Sequence, residues 1–74
     1  MTQMTDAQAA TVVRNLVAAA QEILKDDPGL LQDFGGFARV MWDDDDERKQ
    51  HGLSADEYGY LVRKAFRILK GAEQ

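Results

Sequence analysis

The chain has 74 residues, one histidine and no cysteine. That bounds it to a single domain, excludes a disulfide and nearly excludes a zinc site, since no thiolate stands beside His51. With 13 acidic against 9 basic residues and a net charge of −4, free nucleic acid is a poor first partner, because phosphate binding needs clustered positive charge.

So short a domain buries only about 60% of the surface its unfolded form exposes. Association, with itself or with a partner, is then the remaining source of reinforcement. The opening MTQMTDAQ lacks the basic stretch and apolar run of a secretory signal. The longest weakly polar run, Leu16-Val17-Ala18-Ala19-Ala20, falls far short of the roughly 18 apolar residues of a membrane span. The expectation is a soluble, cytoplasmic protein with no membrane partner, ordered over residues 5–71 and disordered over 1–4 and 72–74.

The first helix opens at Thr5, which with Gln8 makes a T-x-x-Q capping box. Asp6 in the first turn suits the helix dipole. Ala9, Val12, Val13, Leu16, Ala20, Ile23 and Leu24 then recur at spacings of three and four, tracing one face. Asp26-Asp27-Pro28-Gly29 ends the run, since a residue before proline is pushed out of the helical region. The same Asp27-Pro28 reads forward as a helix start.

In the middle segment Leu30, Phe34, Phe37 and Met41 keep helical register straight through Gly35-Gly36, with Trp42 one position beyond. Two glycines cost roughly 1 kcal/mol each inside a helix, so a kink or a split is predicted there. The segment should run on to about His51, irregular near the acids, with Gly52 as its C-cap and ion pairs Asp44–Arg48 and Asp45–Lys49 in the favourable orientation.

The last helix carries a second capping box, Ser54 with Glu57, and a hydrophobic staple, Leu53 with Tyr58. Its apolar stripe is Tyr58, Leu61, Val62, Ala65, Phe66, Ile68 and Leu69, and Gly71 is the expected stop. No segment alternates with period two over the length of a strand. The fold class is therefore all-α: a small three-helix bundle, its middle helix kinked or split at Gly35-Gly36.

Charge is uneven along the chain. Residues 1–25 sum to zero, 26–47 to −7 and 48–74 to +3. The run Asp43, Asp44, Asp45, Asp46, Glu47 fails as an EF-hand: starting at Asp43, Arg48 falls where glycine belongs and Ser54 where the bidentate glutamate belongs. It reads instead as a mimic of a phosphate backbone, as a docking patch for a basic partner, or as a plain solvated face. Trp42 beside it is either a core residue or a rim aromatic.

On the last helix Arg63, Arg67 and Lys70 share a face, with Tyr60 close by. This secondary basic face suits charge pairing with an acidic segment, of this chain or of a second copy in an antiparallel homodimer. Used as a recognition helix for DNA, it would work against the overall charge. Catalysis lacks support: Ser54 is accounted for as a cap, His51 sits at a helix C-terminus, and no carboxylate pair lies among apolar residues. A bundle of this size also leaves little volume for a pocket of the usual 300 Å³ or so.

In size, acidity and helical content the chain resembles, in type only, the small proteins with which phages block host factors, CRISPR complexes among them, and equally small bacterial regulatory subunits. No motif carries that likeness and no residue role follows from it. The expected function is that of a non-enzymatic inhibitor or adaptor without cofactor or metal, occluding a basic surface on a protein or nucleoprotein partner. Phe37, Met41 and Trp42 would anchor it, ringed by Asp43, Asp44, Asp45, Asp46 and Glu47. The alternatives are a self-associating structural or regulatory homodimer and a DNA-binding helical unit led by the last helix.

Overall fold

A computed structural model of the chain describes residues 4–73; the unstructured ends expected at residues 1–3 and 74 lie outside them. The elements are α1 (Asp6–Asp26), a short 3-10 helix (Pro28–Leu31), α2 (Phe34–Asp43), α3 (Asp46–His51) and α4 (Ala55–Glu73). The fold is all-α, with four α-helices among the described residues rather than three.

The two long helices start where their caps dictate. Thr5 Oγ1 accepts from the Gln8 amide at 3.0 Å. At α4 the box is reciprocal: Ser54 N donates to Glu57 Oε1 at 2.8 Å, and Glu57 N donates to Ser54 Oγ at 3.1 Å. Met4, expected in a disordered leader, instead packs against the core.

The middle segment is divided, but not at the glycines. The break lies two residues earlier, where Asp33 adopts an extended conformation and accepts the Gly36 amide on Oδ1 at 2.7 Å. Gly35 and Gly36 thus sit in the first turn of α2, where an unpaired amide needs a cap and the interior-helix penalty does not apply. A second break follows at Asp44-Asp45. Asp45 swings to Arg48, accepting from Nε at 2.8 Å, and also meets Lys49 Nζ at 3.5 Å. The predicted Asp45–Lys49 pair is therefore present, whereas Arg48 pairs with Asp45 in place of Asp44.

Consecutive like charges and the poor helix propensity of aspartate favour this interruption. The Arg48 guanidinium beside it holds the Asp45 carboxyl below its ordinary range. Any stability this pair contributes is present above the unfolded carboxyl value near 3.8 and is lost as pH falls below it. Gly52 closes α3 at φ 65°, a left-handed conformation that glycine adopts without penalty, while Leu53 N donates to Arg48 O at 2.9 Å.

The core gathers Val12, Leu16 and Ala20 from α1, Leu30 and Leu31 from the 3-10 helix, Phe37 and Met41 from α2, and Tyr58, Leu61, Val62, Ala65 and Leu69 from α4. Phe66 joins α2 to α4, its ring 5.3 Å from Phe34 and 5.2 Å from Phe37. Two expectations for α4 need correction. Ile68 is 51% exposed; it shares a surface groove with Ala9 and Ala10 of α1, side chains too short to cover it. Gly71 does not stop the helix, which continues to Glu73.

The Tyr58 hydroxyl donates to the Met41 carbonyl at 2.7 Å across 17 residues of sequence. Met41 lies in the last turn of α2, where carbonyls have no amide partner within the helix, so the phenol caps α2 from inside the core. Burial, reinforced by the Asp45, Asp44 and Glu47 carboxylates, pushes this phenol up to about 12 from 10.0. Between those values the unfolded chain has lost the proton while the folded chain keeps it, so stability falls as pH rises through that window. Tyr58→Phe should cost about 1–3 kcal/mol at neutral pH and remove this residue's share of the alkaline loss. Urea midpoints at about pH 9 and about pH 11 check both effects.

Gly59 lies in mid-α4, and a Cβ there would meet nothing within 4 Å. Gly59→Ala should therefore raise stability by about 1 kcal/mol. In a thermal melt that is a gain of about 4–8 °C for a domain of this size.

Candidate functional site

Three surface grooves exceed the volume that sequence alone allowed. One of about 340 Å³ runs between α1 and the α2–α3 junction. Its apolar lining comes from Leu16, Ala19 and Ile23 of α1 and from Val40 and Met41 of α2, and its acidic lining from Asp43, Asp44, Asp46 and Glu47, with Asn15 beside them. The acids assemble there because α2 ends at Asp43 and α3 restarts at Asp46, folding the run round one end of the groove instead of spreading it along a helix.

The acidic side of this groove has little compensation of its own. Every ion pair among the described residues joins residues three or four apart in sequence. None of them brings the α4 cations to the acidic run, so the intrachain pairing open to the basic face is not made. Glu47 Oε2 lies 3.2 Å from His51 Nε2, an ion pair only when the imidazole is protonated. That oxygen is closed off from solvent and accepts no aligned hydrogen bond. Among the described residues no three carboxylate or imidazole groups converge to hold a metal ion.

The structure redistributes the eight residues expected to bind a partner. Asp43, Asp44, Asp46 and Glu47 come together on one groove. Asp45, by contrast, is turned to Arg48 and Lys49, its side chain only 14% exposed. Phe37 is fully buried and Met41 is 4% exposed, which corrects their expected role as anchors: a side chain inside the core has no surface to offer unless the domain opens. Met41 contributes only an edge to the groove floor.

Trp42 is 37% exposed, which favours the rim position over the core one. Its ring meets Tyr58 edge-on at 4.7 Å, and the Arg48 guanidinium lies 5.9 Å from its centroid. It lines a different groove from the acids, about 390 Å³ between α2 and α4, with Phe34, Ala38, Gly59, Tyr60 and Arg63. Helical geometry separates them: Phe34, Ala38 and Trp42 repeat every four residues along one side of α2, and Val40 and Asp43 fall outside that row.

Arg63, Arg67 and Lys70 are all exposed on α4. Arg63 stacks on the Phe34 ring at 4.5 Å, which ties the basic face to the aromatic groove. The α1 wall of the acidic groove was missed in the sequence, although Ile23 sits at the margin of the α1 stripe and Val40 flanks the apolar row of α2. Their pairing depends on how α1 and α2 dock, and no local spacing encodes that.

No protein-family model, curated protein or solved structure matches this chain. No described helix is long and apolar enough to cross a membrane.

Proposed function

We propose that the protein is a cytoplasmic binding module, an inhibitor or adaptor, that covers a basic surface of a macromolecular partner with its acidic groove and performs no chemistry of its own. The observation that supports this reading is the pairing of an apolar floor, Ala19, Ile23 and Val40, with four carboxylates, Asp43, Asp44, Asp46 and Glu47. Lysine and arginine side chains have the matching form, a methylene stem that covers apolar surface and a cationic head that stays polar. A plain solvated face would not need the apolar half.

Carboxylates at the rim accelerate encounter with a cationic partner and reject acidic ones. Trp42 and Tyr60, 37% and 59% exposed, lie on the neighbouring groove and give a second, aromatic contact on the other side of α2.

The test is titration with an arginine-rich amphipathic peptide and with its glutamate counterpart of equal length. The arginine peptide should bind, and weaken as salt rises; the glutamate peptide should not bind. Equal binding of both peptides, or binding of the arginine peptide that ignores salt, contradicts the reading.

A further inference from the structure

We propose that the groove between α1 and α4 is a self-association surface, in which α1 packs antiparallel against α1 of a second copy across a two-fold axis near Ala10. This surface is separate from the acidic groove and does not depend on it.

The groove measures about 550 Å³ and takes its apolar lining from Ala9, Ala10, Val13 and Val17 of α1 and Ile68 of α4. Ala10, Val13 and Val17 follow the spacing of three and four by which helices seat side chains into one another. Ile68 is 51% exposed beside them, a large apolar group that folding of one chain leaves in water. The alanines let a second backbone come close, so a copy of α1 laid into the groove would cover Ile68 and complete a four-helix arrangement with α1 and α4 of both chains.

The charges at the rim decide which helix fits. Asp6 and Arg14 of α1, with Lys64 of α4, are the charged residues that line this groove, and Asp6 and Arg14 lie four residues before and four residues after Ala10. An antiparallel two-fold pairing centred on Ala10 therefore sets Asp6 of each chain against Arg14 of the other, forming two opposite-charge contacts. A parallel pairing in the same register sets Asp6 against Asp6 and Arg14 against Arg14. Among the described residues neither Asp6 nor Arg14 takes part in an ion pair within the chain. The surface is thus complementary to itself in one orientation, as a two-fold interface requires.

Sedimentation or light scattering across a concentration series tests this. The wild-type chain should approach about 16.6 kDa, twice the 8.3 kDa of one chain. Asp6→Arg and Arg14→Asp, each placing like charges together, should weaken the dimer about tenfold or more, and the double variant D6R/R14D should restore it. Ala10→Glu, at an exposed helical position, should give a single-chain mass with helix content unchanged by circular dichroism. Neutralising Asp43, Asp44, Asp46 and Glu47 should leave the mass unaltered, so loss of peptide binding and loss of the dimer report on different surfaces. A wild-type chain that stays monomeric throughout the series overturns the proposal. So does a dimer that survives Ala10→Glu, or a double variant no tighter than the singles.

Discussion

Phe37→Ala is expected to lower the free energy of unfolding by about 3–5 kcal/mol. A chain of 74 residues has a total stability on the order of 4–11 kcal/mol, so this one substitution removes a large part of it. The reason is location: Phe37 is fully buried and its ring lies 5.2 Å from that of Phe66, so truncation removes apolar transfer energy and leaves a cavity. Trp42→Ala, five residues along, should cost less, about 2 kcal/mol, from the covered part of the ring and one edge-on aromatic contact. Chemical denaturation of the two variants measures the contrast directly. A Trp42 variant as unstable as the Phe37 variant would mean that the tryptophan is a core residue after all.

Neutralising the groove acids together, as D43N/D44N/D46N/E47Q, is expected to slow association with an arginine-rich amphipathic peptide by ten- to several-hundredfold at low salt, the range over which a local field changes encounter rates. The gap between variant and wild type should narrow as salt screens the rim. Asp45 is left in place because its carboxylate holds Arg48 and Lys49 at the start of α3. The variant's net charge moves from −4 to zero, so a control with the same total is needed. Neutralising Glu22, Asp26 and Asp27, none of which lines either groove, together with the penultimate Glu73, supplies it, and should slow association far less. Equal slowing in both chains would assign the effect to overall charge. An internal check comes from Tyr58, whose phenol is held up partly by Asp44 and Glu47; in the groove variant it should titrate closer to its ordinary value.

Much of this architecture was legible in local chemistry. Thr5, Ser54 with Glu57, and Gly52 mark helix ends through hydrogen bonds that span only a few residues, and such bonds depend on spacing that a sequence displays. The apolar rows of α1 and α4 were legible for the same reason, apart from Ile68. The middle of the chain was not, because competing local signals had to be weighed. Gly35-Gly36 looked like the weak point until Asp33 took the Gly36 amide, and Asp44 looked like the partner of Arg48 until Asp45 took it at 2.7 Å.

The candidate site was half legible. Four of the five consecutive acids do share a groove. The apolar residues nearest them in sequence were assigned to the same surface, yet Phe37 and Met41 went inward and Trp42 went to another groove. Apolar partners of the acids come from Ala19 and Ile23, twenty to twenty-eight residues upstream by the numbering, and only the docking of α1 on α2 brings them there.

The most direct measurement is residue-resolved amide NMR during titration with the arginine-rich amphipathic peptide. The account predicts shifts concentrated at Asn15, Ala19, Ile23, Val40, Asp43, Asp44, Asp46 and Glu47, with a second, smaller set at Trp42 and Tyr60, fading as salt is raised, and with the far end of α4 undisturbed. Shifts centred on Arg63, Arg67 and Lys70, or spread evenly over the chain, would contradict it.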